Sequence, residues 1–110
     1  MIRNIMISIL VVMVSASASA DAQSDRKKFI DQLIGQGIFQ KIEIAGDLPH
    51  VWVTPVFKSL DFQTKANCVS VVHGYYITEN RDYNVLVILD NVSGNRIGEY
   101  SKENGGLKLD

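Results

Sequence analysis

The residues of this chain that could perform nucleophilic chemistry are one cysteine and two histidines. Cys68 and His73 are five positions apart, about 140° around a helix, so a helix places them on different faces. A strand would also turn them to opposite faces. Because a nucleophilic thiolate needs a base beside it, we assign no catalytic residue. We expect Cys68 to be a small buried hydrophobic residue whose apolar neighbours raise its thiol pKa, with pairing between chains or a reactive thiol as alternatives.

The sequence also lacks the usual motifs for binding a metal ion or a cofactor. The two histidines, His50 and His73, lack the short spacing of metal ligands. The stretch "DNVSGN", residues 90–95, has Val92 where a calcium loop needs an oxygen ligand and Gly94 one position early. It is typical of a hairpin turn. The sequence contains no phosphate-binding glycine loop or nucleophile elbow, so we predict no metal and no cofactor.

Residue types suited to binding occur in "HVWVT", residues 50–54, which alternates as a strand does. If Val51 and Val53 face the core, the residues beside them face the other side. Trp52 is the type most useful at an interface, although large aromatic residues also dominate small cores, which is the alternative here. Two adjacent tyrosines could extend the same or another patch. The candidate binding residues are His50, Trp52, Thr54, Tyr75 and Tyr76.

The N-terminal segment has the three parts of a secretory signal peptide. Arg3 follows the amino terminus, an apolar run of about 10 residues comes next, and the segment ends in Ala18-Ser19-Ala20. The apolar run is about half of what a bilayer-spanning helix needs. We predict a signal peptide over 1–20 with cleavage before Asp21, or alternatively after Ala18, and a single small α+β domain over 21–110.

Charge limits the classes of partner. The chain has 11 Lys and Arg against 12 Asp and Glu, and residues 1–20 contribute only Arg3 to these totals. The remaining chain is slightly acidic and lacks the basic surplus of a nucleic-acid-binding protein. We therefore expect no nucleic acid and no stable membrane insertion after cleavage. A single cysteine also excludes a disulfide within the chain.

Apolar spacing predicts two helices and two hairpins. The first helix follows Ser24, and the second begins at Thr54-Pro55 with a break near Asp61 that could cap a second start. Residues 68–76 are also rich in β-branched and aromatic types, so a strand is the alternative there. Strands are predicted at 38–45 with 50–54, and at 84–90 with 96–101, each pair joined by a turn. The tail from Gly105 either packs at the sheet edge or frays.

These elements predict an α+β fold of helix-hairpin-helix-hairpin order. The four strands would form an antiparallel sheet, and both helices would pack on one of its faces because each helix has one apolar stripe to bury.

The segments P-H-V-W-V-T-P-V-F, L-D-F, D-N-V-S-G-N-R-I-G-E-Y and the terminal G-G-L resemble those of small uncharacterised exported bacterial proteins. The resemblance covers most of the chain after residue 20. It implies export and assigns no activity and no site residue.

The sequence thus predicts a small, exported, noncatalytic protein that binds a macromolecule, with a protein as the expected partner. Inhibitors, immunity factors and envelope accessory subunits are examples of this class. The predicted location is the periplasm or the exterior. A small-ligand-binding protein or a small thiol- or metal-dependent enzyme are the alternatives.

Overall fold

The polypeptide forms a mixed five-stranded sheet with helices on one face. The structure, a computed structural model, describes residues 19–110. Its elements in chain order are α1 (Ser19–Gly35), β1 (Phe39–Ala45), β2 (Leu48–Val53), α2 (Pro55–Ser59), α3 (Phe62–Glu79), β3 (Leu86–Asp90), β4 (Arg96–Ser101) and β5 (Gly106–Leu109).

The predicted four-stranded antiparallel sheet is wrong. The strands lie in the order β1-β2-β3-β4-β5, and β2 runs parallel to β3 while the other neighbours are antiparallel. The reason is the connection between the two hairpins. α3 carries the chain back along the sheet before β3 begins, so β3 starts at the same end as β2 and runs in the same direction. The tail adds the fifth strand, because Gly106–Leu109 pairs with β4.

α3 settles the alternative at residues 68–76 in favour of a helix. Its start is capped by Asp61, whose carboxylate accepts a hydrogen bond of 2.7 Å from the amide of Thr64. A separate helix, α2, precedes it, so the chain does break near Asp61 as predicted. α2 has Pro55 at its start, but the side chain of Thr54 makes no capping hydrogen bond to it.

The core lies between the helices and one face of the sheet. Val51 and Val53 of β2 and Leu86 and Ile88 of β3 are all fully buried there. The rings of Phe39 and Phe57 also meet there, with centroids 5.9 Å apart. The buried helix residues of this core are Phe29, Ile30, Leu33, Phe57, Cys68, Val69 and Val72.

Residues 90–95 form the turn between β3 and β4, as predicted. Asp90 begins this turn and accepts hydrogen bonds from the amide and the hydroxyl of Ser93, at 3.2 and 2.9 Å. Its carboxylate also pairs with Lys58 of α2 at 2.8 Å. These hydrogen bonds, that of Lys58 first, lower the pKa of Asp90 to about 2. Asp90 therefore ties the turn to α2.

Residues 1–18 of the predicted signal peptide lie outside the described residues. α1 begins at Ser19, two positions before the predicted cleavage at Asp21. Within residues 19–110, no helix combines the length and the apolar character needed to cross a membrane.

Candidate functional site

The side chains of β2 alternate between the two faces of the sheet, one covered by the helices and the other opposite them. Val51 and Val53 point into the core, and His50 and Trp52 point to the other side and are half-buried. The strand alternates as the sequence predicts, and Trp52 is not among the residues of the core. We call the side of the sheet that carries Trp52 the open face.

A bulge in β1 brings charged side chains beside Trp52. The register shifts between Phe39 and Lys41, which places Lys41 opposite Trp52 and Glu43 opposite His50. The ammonium of Lys41 lies 4.5 Å from the centroid of the Trp52 ring. A cation at this distance is attracted to the face of the indole. Lys41 also lies 3.6 Å from the carboxylate of Glu43, so the indole is held within a small charged cluster.

The central strand β3 extends this surface with apolar side chains. In the parallel register, Val87 lies beside His50 and Leu89 lies beside Trp52. Both are half-buried, whereas their neighbours in β3 point into the core. Trp52, Val87 and Leu89 thus form an apolar strip in the middle of the open face.

The far side of the strip has charges of both signs. Arg96 of β4 pairs with Leu89, and Glu99 pairs with Val87. Arg96 forms ion pairs of 2.7 Å with Glu99 and 2.8 Å with Asp110. Ion pairs therefore border the apolar strip on both sides.

His50 and Thr54 differ in how free they are to bind. Nδ1 of His50 lies 2.9 Å from the carbonyl oxygen of Leu48, and because that oxygen only accepts, Nδ1 carries the proton. With Nδ1 as the donor, Nε2 is left as an acceptor. The centroid of the His50 ring lies 6.2 Å from that of the Trp52 ring. The hydroxyl of Thr54 instead lies within hydrogen-bond distance of the carbonyl oxygens of Gly37 and Ile38 and shares its one proton between them, so it joins the end of β2 to the loop after α1.

Tyr75 and Tyr76 lie in α3, on the other side of the sheet from Trp52. Their rings pack edge to face at 5.2 Å, and the ring of Tyr76 is 6.4 Å from that of Tyr83. Gln23 of α1 donates a hydrogen bond of 3.0 Å to the carbonyl of Tyr75. Burial raises the pKa of Tyr76. The structure therefore brings His50 and Trp52 together and places the two tyrosines in the helix layer.

Cys68 and His73, the closest pair considered for catalysis, are both buried. Cys68 is 1% exposed, and desolvation raises its pKa to about 11, which confirms the expected role as a small buried hydrophobic residue. His73 is also buried, and its Nε2 lies 3.0 Å from the carbonyl oxygen of Asn84. Within the described residues, no hydrogen bond joins Cys68 to His73, and no three His, Cys, Asp or Glu side chains form a group that could hold a metal ion.

Sequence reasoning missed the other residues of the open face, among them Lys41, Val87 and Leu89. The signal for Val87 and Leu89 was present, because β3 is apolar on both faces, as expected of a central strand. Lys41 could not be assigned, because a bulge shifts the alternation of β1 by one position.

Comparisons with protein-family models, with curated proteins and with solved structures find no match to this chain. Function is therefore inferred from the side chains that the fold presents.

Proposed function

We propose that this protein is a noncatalytic binding protein whose open face contacts a partner protein, with Trp52 as the anchor. The observation that supports this most directly is the half-buried strip of Trp52, Val87 and Leu89 on the side of the sheet opposite the core. A central apolar cluster with a tryptophan and a polar rim is the usual anatomy of a protein–protein interface.

The charges of the open face favour a protein over other macromolecules. Lys41 is neutralised by Glu43, and Arg96 by Glu99 and Asp110. A nucleic acid or an anionic lipid surface would require a surplus of unpaired cations. A protein surface has charges of both signs, and the rim of the open face complements such a surface.

Export belongs to the same proposal. It is supported by the short apolar run, by the Ala-x-Ala ending before Asp21 and by the resemblance to small exported bacterial proteins. The protein would then bind its partner in the periplasm or outside the cell. Inhibitors, immunity factors and accessory subunits bind their targets in this way.

The experiment is site-specific photo-crosslinking of the full chain in its native source. A photoreactive amino acid replaces Glu43, an exposed residue of the open face, and in a matched control it replaces Gln32, an exposed residue of α1. We expect one protein adduct of defined mass from position 43 and none from position 32. Excess unlabelled protein should suppress the adduct, and excess Trp52→Ala protein should not.

The same adducts from both positions, or equal competition by the Trp52→Ala protein, would overturn the proposal. An adduct of twice the mass of the chain, together with a dimer that Trp52→Ala dissociates in sedimentation, would identify a second copy of the chain. That result would overturn the assignment of a different protein as the partner.

A further inference from the structure

A cleft of about 610 Å³ lies on the other side of the sheet from the open face. It is bordered by α1, by α3 and by the turn between β4 and β5. The residues that matter for the argument are Arg26, His73, Gly74, Ile77, Tyr100 and Lys102. Its volume is within the range of about 300–1,000 Å³ that is common for small-molecule sites.

Arg26 reaches this cleft across a glycine. A Cβ atom on Gly74 would lie 3.2 Å from Nε and 3.7 Å from Cδ of Arg26, so the side chain crosses α3 where no side chain blocks it. Nη1 of Arg26 donates a hydrogen bond of 2.8 Å to Gln23. Glycine disfavours a helix interior, and at this position it leaves room for the close approach of Arg26.

The two cations of the cleft form no ion pair. Arg26 and Lys102 take part in none of the ion pairs within residues 21–110, as is also true of Lys28 and Lys108, and Arg26 is held by its hydrogen bond to Gln23. Glu103 is the one carboxylate among the residues of the cleft. A guanidinium held against a helix presents the planar donor set that matches a carboxylate or a phosphate group.

The wall of the cleft adds a histidine ring and an apolar surface. His73 is 4% exposed, and because its Nε2 donates to the carbonyl of Asn84, the neutral ring keeps an acceptor at Nδ1. No hydrogen bond to Nδ1 occurs within residues 21–110. The Tyr100 ring packs edge-on against His73 at 5.1 Å, and Ile77 supplies aliphatic surface.

We infer that this cleft binds a small organic anion, with its carboxylate or phosphate group on Arg26 and Lys102 and its apolar part against Tyr100 and Ile77. This site is independent of the open face, so either proposal can hold without the other.

The test is a titration of the full chain followed by amide and arginine side-chain NMR. The probes are phenylacetate and phenyl phosphate, which distinguish the two head groups, and the neutral phenylacetamide. We expect saturable shifts at Arg26, Gly74 and Lys102 with one or both anions and none with the neutral probe. Arg26→Gln should weaken binding about tenfold or more, since it removes a charge-assisted hydrogen bond. Lys28→Gln removes one charge from an exposed position of the same helix and should change nothing.

A second variant separates binding from folding. Gly74→Ala introduces a Cβ that would lie 3.2 Å from Nε of Arg26, so the guanidinium must shift slightly, and alanine also favours the helix. We expect the thermal midpoint of this variant to stay equal or rise while the affinity for the anion falls severalfold. An absence of saturable shifts with either anion would overturn the inference. An affinity that Arg26→Gln and Gly74→Ala leave unchanged, or that Lys28→Gln lowers equally, would overturn it as well.

Discussion

The face on which Trp52 lies could be predicted from the sequence, but the side chains that contact it could not. Alternation alone places Trp52 opposite Val51 and Val53, and this could be predicted from "HVWVT". The lysine over the indole could not be predicted, because it depends on a bulge between Phe39 and Lys41 that leaves no clear mark in the sequence. The approach of Arg26 to Gly74 could not be predicted either, because the two residues lie in different helices that are distant in the chain.

Cys68 should be unreactive in the folded protein. Its thiol is buried and its pKa is raised to about 11, so very little thiolate is present at pH 8. We expect a disulfide reagent to modify it at the rate of unfolding and not at the rate of a free thiol. Measuring the modification rate with and without denaturant checks this. A native protein that reacts as fast as the unfolded chain would show that the thiol is accessible.

Asp90 should make stability depend on pH in the acid range. Its folded pKa of about 2 is below the ordinary value of 3.8 for an aspartate side chain, so the stabilisation is present above about pH 4 and is lost as pH falls through 2. We expect Asp90→Asn to lower the thermal midpoint at pH 7 and to make the decline between pH 4 and 2 shallower. Asp47→Asn, in the exposed turn between β1 and β2, is the matched control. An unchanged acid slope in the Asp90 variant would refute the role of this carboxylate.

The elements were easier to predict than their arrangement. Both hairpins and the capped start of α3 at Asp61 follow from local signals, namely turn residues and the spacing of apolar side chains. The parallel pairing of β2 with β3 does not, because it depends on where α3 returns the chain. β5 was ambiguous because its four residues carry too little pattern to distinguish a strand from a frayed tail.

The pairing of β4 with β5 should depend on Gly98. A Cβ atom there would lie 2.5 Å from the backbone oxygen of Lys108, a distance that real Cβ atoms do not tolerate. We expect Gly98→Ala to reduce the free energy of unfolding by about 1–3 kcal/mol, as overpacking does, and to increase amide exchange in β5. Gly35→Ala, where the Cβ meets no atom within 4 Å, serves as the control. Equal stability of the two variants in urea would contradict the close approach.

At the scale of the whole molecule, the sheet has two unlike faces. One is covered by the helices and carries the fully buried side chains, and the other carries half-buried apolar groups within a charged rim. The presence of apolar residues on both faces of β3 could be predicted, whereas which face stays open could not, because this depends on the side to which both long helices pack.

Substitution of two leucines of β3, one on each face of the sheet, tests the difference between the covered face and the open face. Leu86 is fully buried in the core, and Leu89 lies half-buried on the open face. We expect Leu86→Ala to reduce the free energy of unfolding by about 2–5 kcal/mol, because it leaves a cavity. Leu89→Ala should cost less than half of that. Chemical denaturation measures both, and similar losses would mean that a further element covers the open face.

The most direct test of the proposed function measures binding and stability together in Trp52→Ala. The partner is the protein captured at position 43, and Phe62→Ala, at a residue 56% exposed in α3, is the control. We expect Trp52→Ala to weaken binding about thirtyfold or more, which corresponds to about 2 kcal/mol, while the free energy of unfolding falls by less than about 1 kcal/mol. Unchanged affinity in a folded Trp52→Ala protein would contradict the account. Loss of binding that merely follows unfolding of the domain would contradict it too, because Trp52 would then belong to the core.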